Sequence, residues 1–475
     1  MQKVDSFFRH FDSKSQNTFL IDADRNITLT YAEADSIINN IALGIKQHNK
    51  KLAFLFCDNS YTSLLSYLAA LRSGNAVLLL NSKLNEGIKQ NLINLYKPEI
   101  IFSQAPLALQ CYSHKGSDGV NYYTCDNESH SPVYHNLAVL LSTSGTTGSP
   151  KLVRLSYRNV VSNAESIADY LNIRPAERAV TSLPMSYSYG LSVINSHIVA
   201  GASLMLTETS FIFRDFWNLF NQHKCTSFAG VPYSYSLLKK SRFDEISLPS
   251  LRTLTQAGGH LDADLTLFFH DYASSAGINF YVMYGQTEAT ARISYLPPEY
   301  LPQKIGSVGI PIPGGKIDIV NNGTPVQKAG ETGELVYSGP NVMLGYADSR
   351  EGLSHGDELN GILYTGDLGC KDEDGFCFIT GRLEKFIKMF GLKIYTDEVE
   401  KMLRDKLNVE AACCGSDDML CVLAASLNSY SPDDLRKEIS GCFNINANTI
   451  HVKQANEIPV TESGKIDYKA ISSLF

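Results

Sequence analysis

The chain has 475 residues, 44% of them hydrophobic, and a formal net charge of -8. That length exceeds one compact core and predicts two or three domains, and the apolar share excludes the disordered class. The acidic balance excludes a general nucleic-acid binder, because phosphate backbones require a basic surface.

Residues 1–16 contain no apolar run of the kind that makes a secretory signal. No uncharged apolar stretch reaches the ~18 residues that cross a bilayer; the nearest, 191–207, is broken by Asn195, Ser196 and His197. A cytoplasmic protein with no membrane span is expected. The ten cysteines show no CxxC or Cys/His spacing suited to zinc and read as reduced, partly buried thiols.

In chain order, LAFLFC at 52–57 predicts a buried strand and 63–74 an amphipathic helix closing on glycine. AVLLL at 76–80 and EIIF at 99–102 predict two further strands with a helix between them. This rhythm predicts a mostly parallel sheet covered by helices. Residues 103–135 are polar and aperiodic, and read as surface structure. LAVLLSTSG then leads a strand into a hydroxyl-rich loop. From 305 to 380 short β-like runs (KIDIV, GELVYSG, GFCFIT) alternate with turn residues. The tail carries an acidic helix at 396–407, the strand-like MLCVLAAS and a helix near 432–442. The expected fold is α/β. A large N-terminal domain, 1–382, holds helix-covered, mostly parallel sheets plus a β-rich subdomain, and a small mobile α+β C-terminal domain spans 383–475.

The segment LLSTSGTTGSPK, 140–151, places Ser142, Thr143, Ser144, Thr146 and Thr147 with Gly145 and Gly148 directly after an apolar strand, and Lys151 at its end. Glycines let the backbone turn with its N–H groups inward, hydroxyls add donors, and the loop suits a phosphate chain. It lacks the Gly-Lys-Ser/Thr of a P-loop, which speaks against a kinase or ATPase of that kind. Taken alone, the loop reads equally as polar surface.

It does not stand alone. The segment resembles the phosphate loop of the adenylate-forming superfamily, which includes acyl-CoA synthetases, peptide-synthetase adenylation domains and firefly-type luciferases. YVMYGQTEATAR (281–292), YTGDLG (364–369), GRLEKFIKMFGLKI (381–394) and PVTESGKIDYKAI (459–471) resemble further motifs of that family, in the same order. Singly, a glutamate after a strand, a GD or GR pair, or a late lysine is ordinarily surface or turn; these assignments rest on their order.

The resemblance implies that Mg·ATP activates a carboxylic acid as acyl-AMP, releasing pyrophosphate, and that the acyl group then passes to a thiol. It puts Thr143, Ser144, Gly145, Thr146, Thr147, Gly148 and Lys151 around the phosphates, with Tyr284 and Gly285 beside the adenine. Gly258 and Gly259 would pack their backbone against adenine and close the acyl pocket. Thr287 would reach the α-phosphate and Glu288 would hold Mg²⁺, a hard cation that takes one or two carboxylates. Asp367 would accept from both ribose hydroxyls, as two carboxylate oxygens can, with Arg382 as a second ribose or phosphate contact. Lys465 would bring its ammonium to the carboxylate and α-phosphate. A preorganised donor at developing charge contributes about 3–4 kcal/mol. Glu384 stands at the hinge, where Asp or Lys is usual, and Gly391 on the loop presented to the thiol after domain alternation.

LPMSYSYGLS (183–192) aligns with the family segment lining the acyl pocket. Tyr187 stands where many relatives carry histidine. Gly190 stands where amino-acid-activating domains place an aspartate for the α-ammonium, so an unpaired ammonium would be costly there. Tyr187, Tyr189, Gly190, Val231 and Tyr233 therefore suggest a fatty, short-chain or aryl acid. The sequence ends ten residues after Lys465 with no carrier domain. The expected acceptor is a thiol in trans: coenzyme A, or the phosphopantetheine of a discrete acyl carrier protein. The alternatives are a standalone amino-acid-activating enzyme and a non-catalytic nucleotide-binding relative.

Overall fold

The apolar runs at 52–57 and 76–80 form neighbouring parallel strands, Leu52–Cys57 and Ala76–Asn81, in register from Leu52 opposite Ala76 to Cys57 opposite Asn81. Alternate residues point to opposite faces. Ala53, Leu55, Val77 and Leu79 meet Ile38 and Ile41 of helix Tyr31–Ile45 and Leu64 and Leu68 of helix Tyr61–Arg72. Leu52, Phe54, Leu78 and Leu80 face the other way, onto Leu92 and Ile93 of helix Glu86–Tyr96. Burial on both faces explains why these strands are continuously apolar rather than alternating.

The computed structural model describes residues 7–8, 11, 15–46, 48–107, 112–125, 131–142, 151–321, 323–383, 386–389, 392–416, 418–443, 445–461 and 464–475. The chain divides into two compact units: Met1–Lys316 with Ser338–Leu363, and Ile317–Tyr337 with Tyr364–Phe475.

In the first unit one sheet runs, in spatial order, Gly345–Ala347, Leu152–Ser156, Leu137–Ser142, Ala76–Asn81, Leu52–Cys57, Ile100–Phe102, Val120–Thr124, Ser113–Ser117. A second sheet orders Ser307–Pro311, Ser294–Leu296, Asn279–Tyr284, Thr253–Gln256, Ser227–Gly230, Arg178–Val180, Ser203–Leu206, Thr18–Asp22, Ile27–Thr30. Its centre is parallel. One apolar core joins residues of both sheets to the helices between them.

The polar stretch 103–135 departs from its expectation of plain surface structure, since it contains the antiparallel hairpin Ser113–Ser117 with Val120–Thr124. Its two-residue turn is Asp118 and Gly119, both with positive φ (51° and 80°). An Asp-Gly pair is the sequence signal for such a turn.

In the second unit the strands Thr324–Pro325, Lys316–Asn321, Gly333–Ser338, Ile362–Lys371 and Cys377–Arg382 lie side by side, matching the β texture read at 305–380. Beyond them, Ala411–Ser416, Met419–Ala424 and Ile450–Gln454 form a mixed sheet. Helices Thr396–Leu407 and Pro432–Phe443 supply Val399, Leu403, Leu435 and Ile439 to its core.

Candidate active site

Strand Asn279–Tyr284 leaves the sheet at Tyr284, and the chain passes through Gly285 into a 3-10 turn, Thr287–Ala289, before returning as Ser294–Leu296. A Cβ at Gly285 would lie 1.8 Å from the carbonyl oxygen of Ala291, so only glycine closes the loop. Thr290 and Ala291 take positive φ (55° and 93°), conformations that cost about 1–3 kcal/mol each outside glycine. Asn341 holds them. Its Nδ2 donates to the carbonyls of Ala289 (2.8 Å) and Arg292 (2.9 Å), while its own carbonyl accepts from Thr290 Oγ1 (2.6 Å).

The strut fixes two side chains that the sequence singled out. Thr287 Oγ1 lies 3.1 Å from Ser188 Oγ at the start of helix Ser188–Val199. Glu288 accepts at Oε1 from the Tyr346 hydroxyl (2.9 Å) and at its main-chain carbonyl from the Met343 N–H (2.8 Å). Its Oε2 has no donor among the described residues.

Tyr346 sits on strand Gly345–Ala347, paired with Leu152–Ser156, the strand that follows the hydroxyl-rich loop. Arg154, fully buried, clamps this edge: it donates to the carbonyls of Tyr346 (3.1 Å), Leu344 (3.3 Å), His355 and Gly356, and pairs with Glu358. The Lys151 ammonium then lies 5.9 Å from the centre of the Tyr346 ring. Lys151 and Glu288 thus face one tyrosine from two sides. Thr143, Ser144, Gly145, Thr146, Thr147 and Gly148 lie outside the described residues.

On the acid side, Gly258 has φ +89°, and a Cβ there would meet Tyr187 Oη at 2.6 Å and Val231 Cγ1 at 3.2 Å. Tyr187, Tyr189 and Val231 belong to one apolar cluster with Leu183, Tyr281 and Met283. The Tyr189 hydroxyl donates to the Thr255 carbonyl (2.8 Å). Burial pushes the Tyr187 phenol up to about 12, so it stays neutral. Gly190 has a packing reason: its Cβ would lie 2.3 Å from the Pro184 carbonyl oxygen, so the place of an aspartate is filled by backbone. A Cβ at Gly259 would touch Pro232 Cγ at 3.2 Å. Tyr233, 43% exposed, lies outside the cluster.

In the second unit Asp367 and Arg382 stand directly opposite on antiparallel strands. Arg382 Nε donates to Asp367 Oδ1 at 2.7 Å, the carboxylate almost fully buried and the guanidinium half-exposed. The Thr365 Oγ1 accepts from the Asp367 N–H (3.1 Å). Lys465 is carried by a small hairpin: Val460 bridges Ile466, the Thr461 N–H donates to the Lys465 carbonyl (2.7 Å), and Gly464 takes φ +74°. Glu384 and Gly391 lie outside the described residues.

The donor set fits the expected ligands. A carboxylate with one oxygen lacking a donor among the described residues suits a hard cation, and the Lys151 ammonium lies against the tyrosine that holds it. Among the described residues no cluster of three His, Cys, Asp or Glu side chains could hold a metal unaided. Tyr346, Asn341, Ser188 and Arg154 were not singled out from the sequence. They contribute through contacts 50 to 200 residues distant in the chain, and no local pattern marks them.

The fold and this constellation define an enzyme that adenylates a carboxylate. The chain belongs to the AMP-binding enzyme family, whose profile matches residues 7–347. It is similar to the 2-succinylbenzoate–CoA ligase of Bacillus licheniformis, 30% identical over 386 residues, 79% of this chain and 78% of that one. The ligase of the same name from Bacillus pumilus is 29% identical over 398 residues, 81% and 79%. The structure of o-succinylbenzoate CoA synthetase from Bacillus subtilis with its acyl-adenylate intermediate matches at a TM-score of 0.73 and 25% identity, covering 95% of this chain and 94% of that one. The same enzyme bound to ATP and magnesium has the same fold, at a TM-score of 0.74, 24% identity and 96% coverage of each chain. This chain is an AMP-forming acid–thiol ligase, using ATP and Mg²⁺. Among the described residues no helix is long and apolar enough to cross a membrane.

Proposed function

We propose that the chain activates an aryl acid as its adenylate and transfers the acyl group to coenzyme A. The observation that carries the acid class is the aromatic lining: Tyr187 and Tyr189 stand edge to face with ring centres 6.2 Å apart, in one apolar cluster with Val231 that closes tightly on Gly258. Flat aromatic walls favour a ring by offset or edge contacts. The similarity to 2-succinylbenzoate–CoA ligases supports the same reading.

The roles follow from chemistry. Glu288 holds the cation that neutralises the phosphates when ATP is bound, and Tyr346 fixes the rotamer of that carboxylate. Thr287 donates to the α-phosphate. Asp367 accepts from the ribose hydroxyls, with Arg382 aligning it. Lys465 supplies positive charge where one anion attacks another, and residues 383–475 then turn to admit the thiol near Gly391.

The test is ATP–pyrophosphate exchange over aryl, fatty and amino acids, followed by thioester assay with coenzyme A and with phosphopantetheinylated carrier proteins separately. Fastest exchange with aryl acids and thioester on coenzyme A are expected. Preference for an amino acid, or acyl transfer only to a carrier protein, would replace this reading with the corresponding alternative.

A further inference from the structure

Strands Ala411–Ser416 and Met419–Ala424 of the second unit pair antiparallel with Cys414 directly opposite Cys421. Side chains at opposed positions share one face of the sheet, and the two thiols lie within hydrogen-bonding reach of each other. Cys421 is 2% exposed and Cys414 half-buried. Among the described residues no other two cysteines stand opposite on paired strands. Cys370 and Cys377 are one step out of register and point to opposite faces. Cys413 turns the other way, into the core with Val399 and Leu403.

The two thiols are chemically unequal. Burial, then the neighbouring Cys414, push the Cys421 thiol up to about 11, and the Lys453 ammonium on the next strand draws it down in part. Cys421 is therefore the proton donor of the pair. Cys414, partly open to solvent, is the sulfur that an oxidant meets first.

The same face seats the Lys465 hairpin. Cys414 packs with Ile466 and Tyr468 against Ala412, Leu423 and Ile471. Ile466 follows Lys465 directly and closes the hairpin by its bridge to Val460. A second link runs through Glu400, whose Oε1 accepts from the Cys413 N–H at 2.7 Å and from the Tyr468 hydroxyl at 3.0 Å. One strand thus carries both a thiol of the pair and the footing of Lys465. Opposed Cβ atoms in such a pair lie ~4.5–5.5 Å apart, and a disulfide sets them at ~3.5–4.5 Å. A bond here would draw the strands together by about 1 Å.

We propose that Cys414 and Cys421 are a redox modification site, forming a reversible disulfide that displaces Lys465 and slows adenylation. The Cys414 thiolate attacks one sulfur of a small-molecule disulfide, giving a mixed disulfide and releasing a first thiol. Cys421 then gives up its proton and attacks Cys414 Sγ, expelling the second thiol. The two cysteine protons leave on the two released thiols, and the electron pair that the cysteines lose reduces the oxidant. With Cys414 held in the mixed disulfide, its charge no longer retains the Cys421 proton. A strained, partly exposed disulfide is of the labile, regulatory kind. The effect on adenylation rests on the acid–thiol ligase reading; the bond itself does not.

The experiment treats the full chain with oxidised glutathione, then follows peptides and activity in parallel. Cleavage after Met419, between the two cysteines, should yield peptides joined through Cys414 and Cys421 only from the oxidised chain. ATP–pyrophosphate exchange should fall ~10- to 100-fold, the scale of an ångström's displacement of a reacting group, and recover with dithiothreitol. Thioester formation from supplied acyl-AMP should change far less. Cys414→Ser should keep the exchange rate of the reduced enzyme and lose the sensitivity, while Cys442→Ser, at an exposed cysteine, keeps it. Absence of the joined peptides, glutathione left standing on Cys414, or equal inactivation of Cys414→Ser overturns the inference. Joined peptides with undiminished exchange overturn the link to Lys465. If Cys414→Ser does not fold, the peptides and the recovery of the wild-type chain decide. A reduced chain that exchanges with no acid overturns the ligase reading, while the joined peptides still test the bond.

Discussion

The phenol of Tyr346 donates a 2.9 Å hydrogen bond to Oε1 of Glu288, although the two residues are 58 positions apart in the chain. The bond orients a carboxylate whose other oxygen has no donor among the described residues. Tyr346→Phe removes the bond and keeps the ring beside Lys151. Hydrogen bonds to charged groups contribute roughly 1.5–3 kcal/mol, less when partly solvated, so the Mg²⁺ concentration for half-maximal exchange should rise about three- to tenfold. A magnesium titration of the variant checks this; an unchanged midpoint would separate Tyr346 from metal binding.

Lys465 is the residue whose loss should divide the two half-reactions. Lys465→Ala is expected to slow adenylation about a hundred- to thousandfold while sparing thioester formation from supplied acyl-AMP. Assaying the two steps separately reads this directly. Equal loss in both would contradict alternation of the C-terminal domain.

Asp367 is almost fully buried beside Arg382, which its partner strand holds directly opposite. Asp367→Asn keeps the shape but loses an acceptor for the ribose and the charge that holds Arg382. The KM for ATP should rise tenfold or more, and far less for 2′,3′-dideoxy-ATP, which offers no diol. A similar rise with both nucleotides would point to structural damage instead.

Gly258→Ala introduces a Cβ at φ +89° and 2.6 Å from the Tyr187 hydroxyl. The strain is about 1–2 kcal/mol, and the added methyl pushes the Tyr187 side chain out of place. The expected result is a higher KM for the acid with a smaller change for ATP. Gly258→Ala combined with Tyr187→Phe should recover part of the acid affinity, because the clashing atom is the hydroxyl oxygen.

His197 gives an acid limb to stability. Burial, with a smaller contribution from the Arg292 charge, pushes its pKa down to about 4 from an ordinary 6.5. The unfolded chain therefore binds a proton at pH values where the folded chain does not. This stabilisation is complete above pH 6.5 and is lost as pH falls toward 4, by about 3 kcal/mol in all. His197→Gln should flatten the melting-temperature profile between pH 6.5 and 4; an unchanged slope would assign the limb to other groups.

The parts legible in the sequence were those encoded locally. Strand Leu52–Cys57, helix Tyr61–Arg72 and strand Ala76–Asn81 followed from apolar period and a glycine stop, and the ordered motifs led to the family. What stayed hidden depends on distant chain segments. Asn341 reaches back to Ala289 and Arg292, and Arg154 gathers carbonyls near residue 350. Arg292 was in plain view at the end of a recognised motif, but its burial is visible only in three dimensions. The Asp118 and Gly119 hairpin was different: its signal was local and lay inside a stretch read as polar surface structure.

Asn341 grips the carbonyls on both sides of the Thr290 and Ala291 reversal, so Glu288 and the buried Arg292 hang from one amide. The five residues from Glu288 to Arg292 are therefore held in place together. An engineer who wants a new substrate cannot reshape that block without loosening the chemistry it carries. Room for retuning lies instead at Tyr187 and Val231, which pack against Gly258 and can be exchanged while the loop keeps its shape.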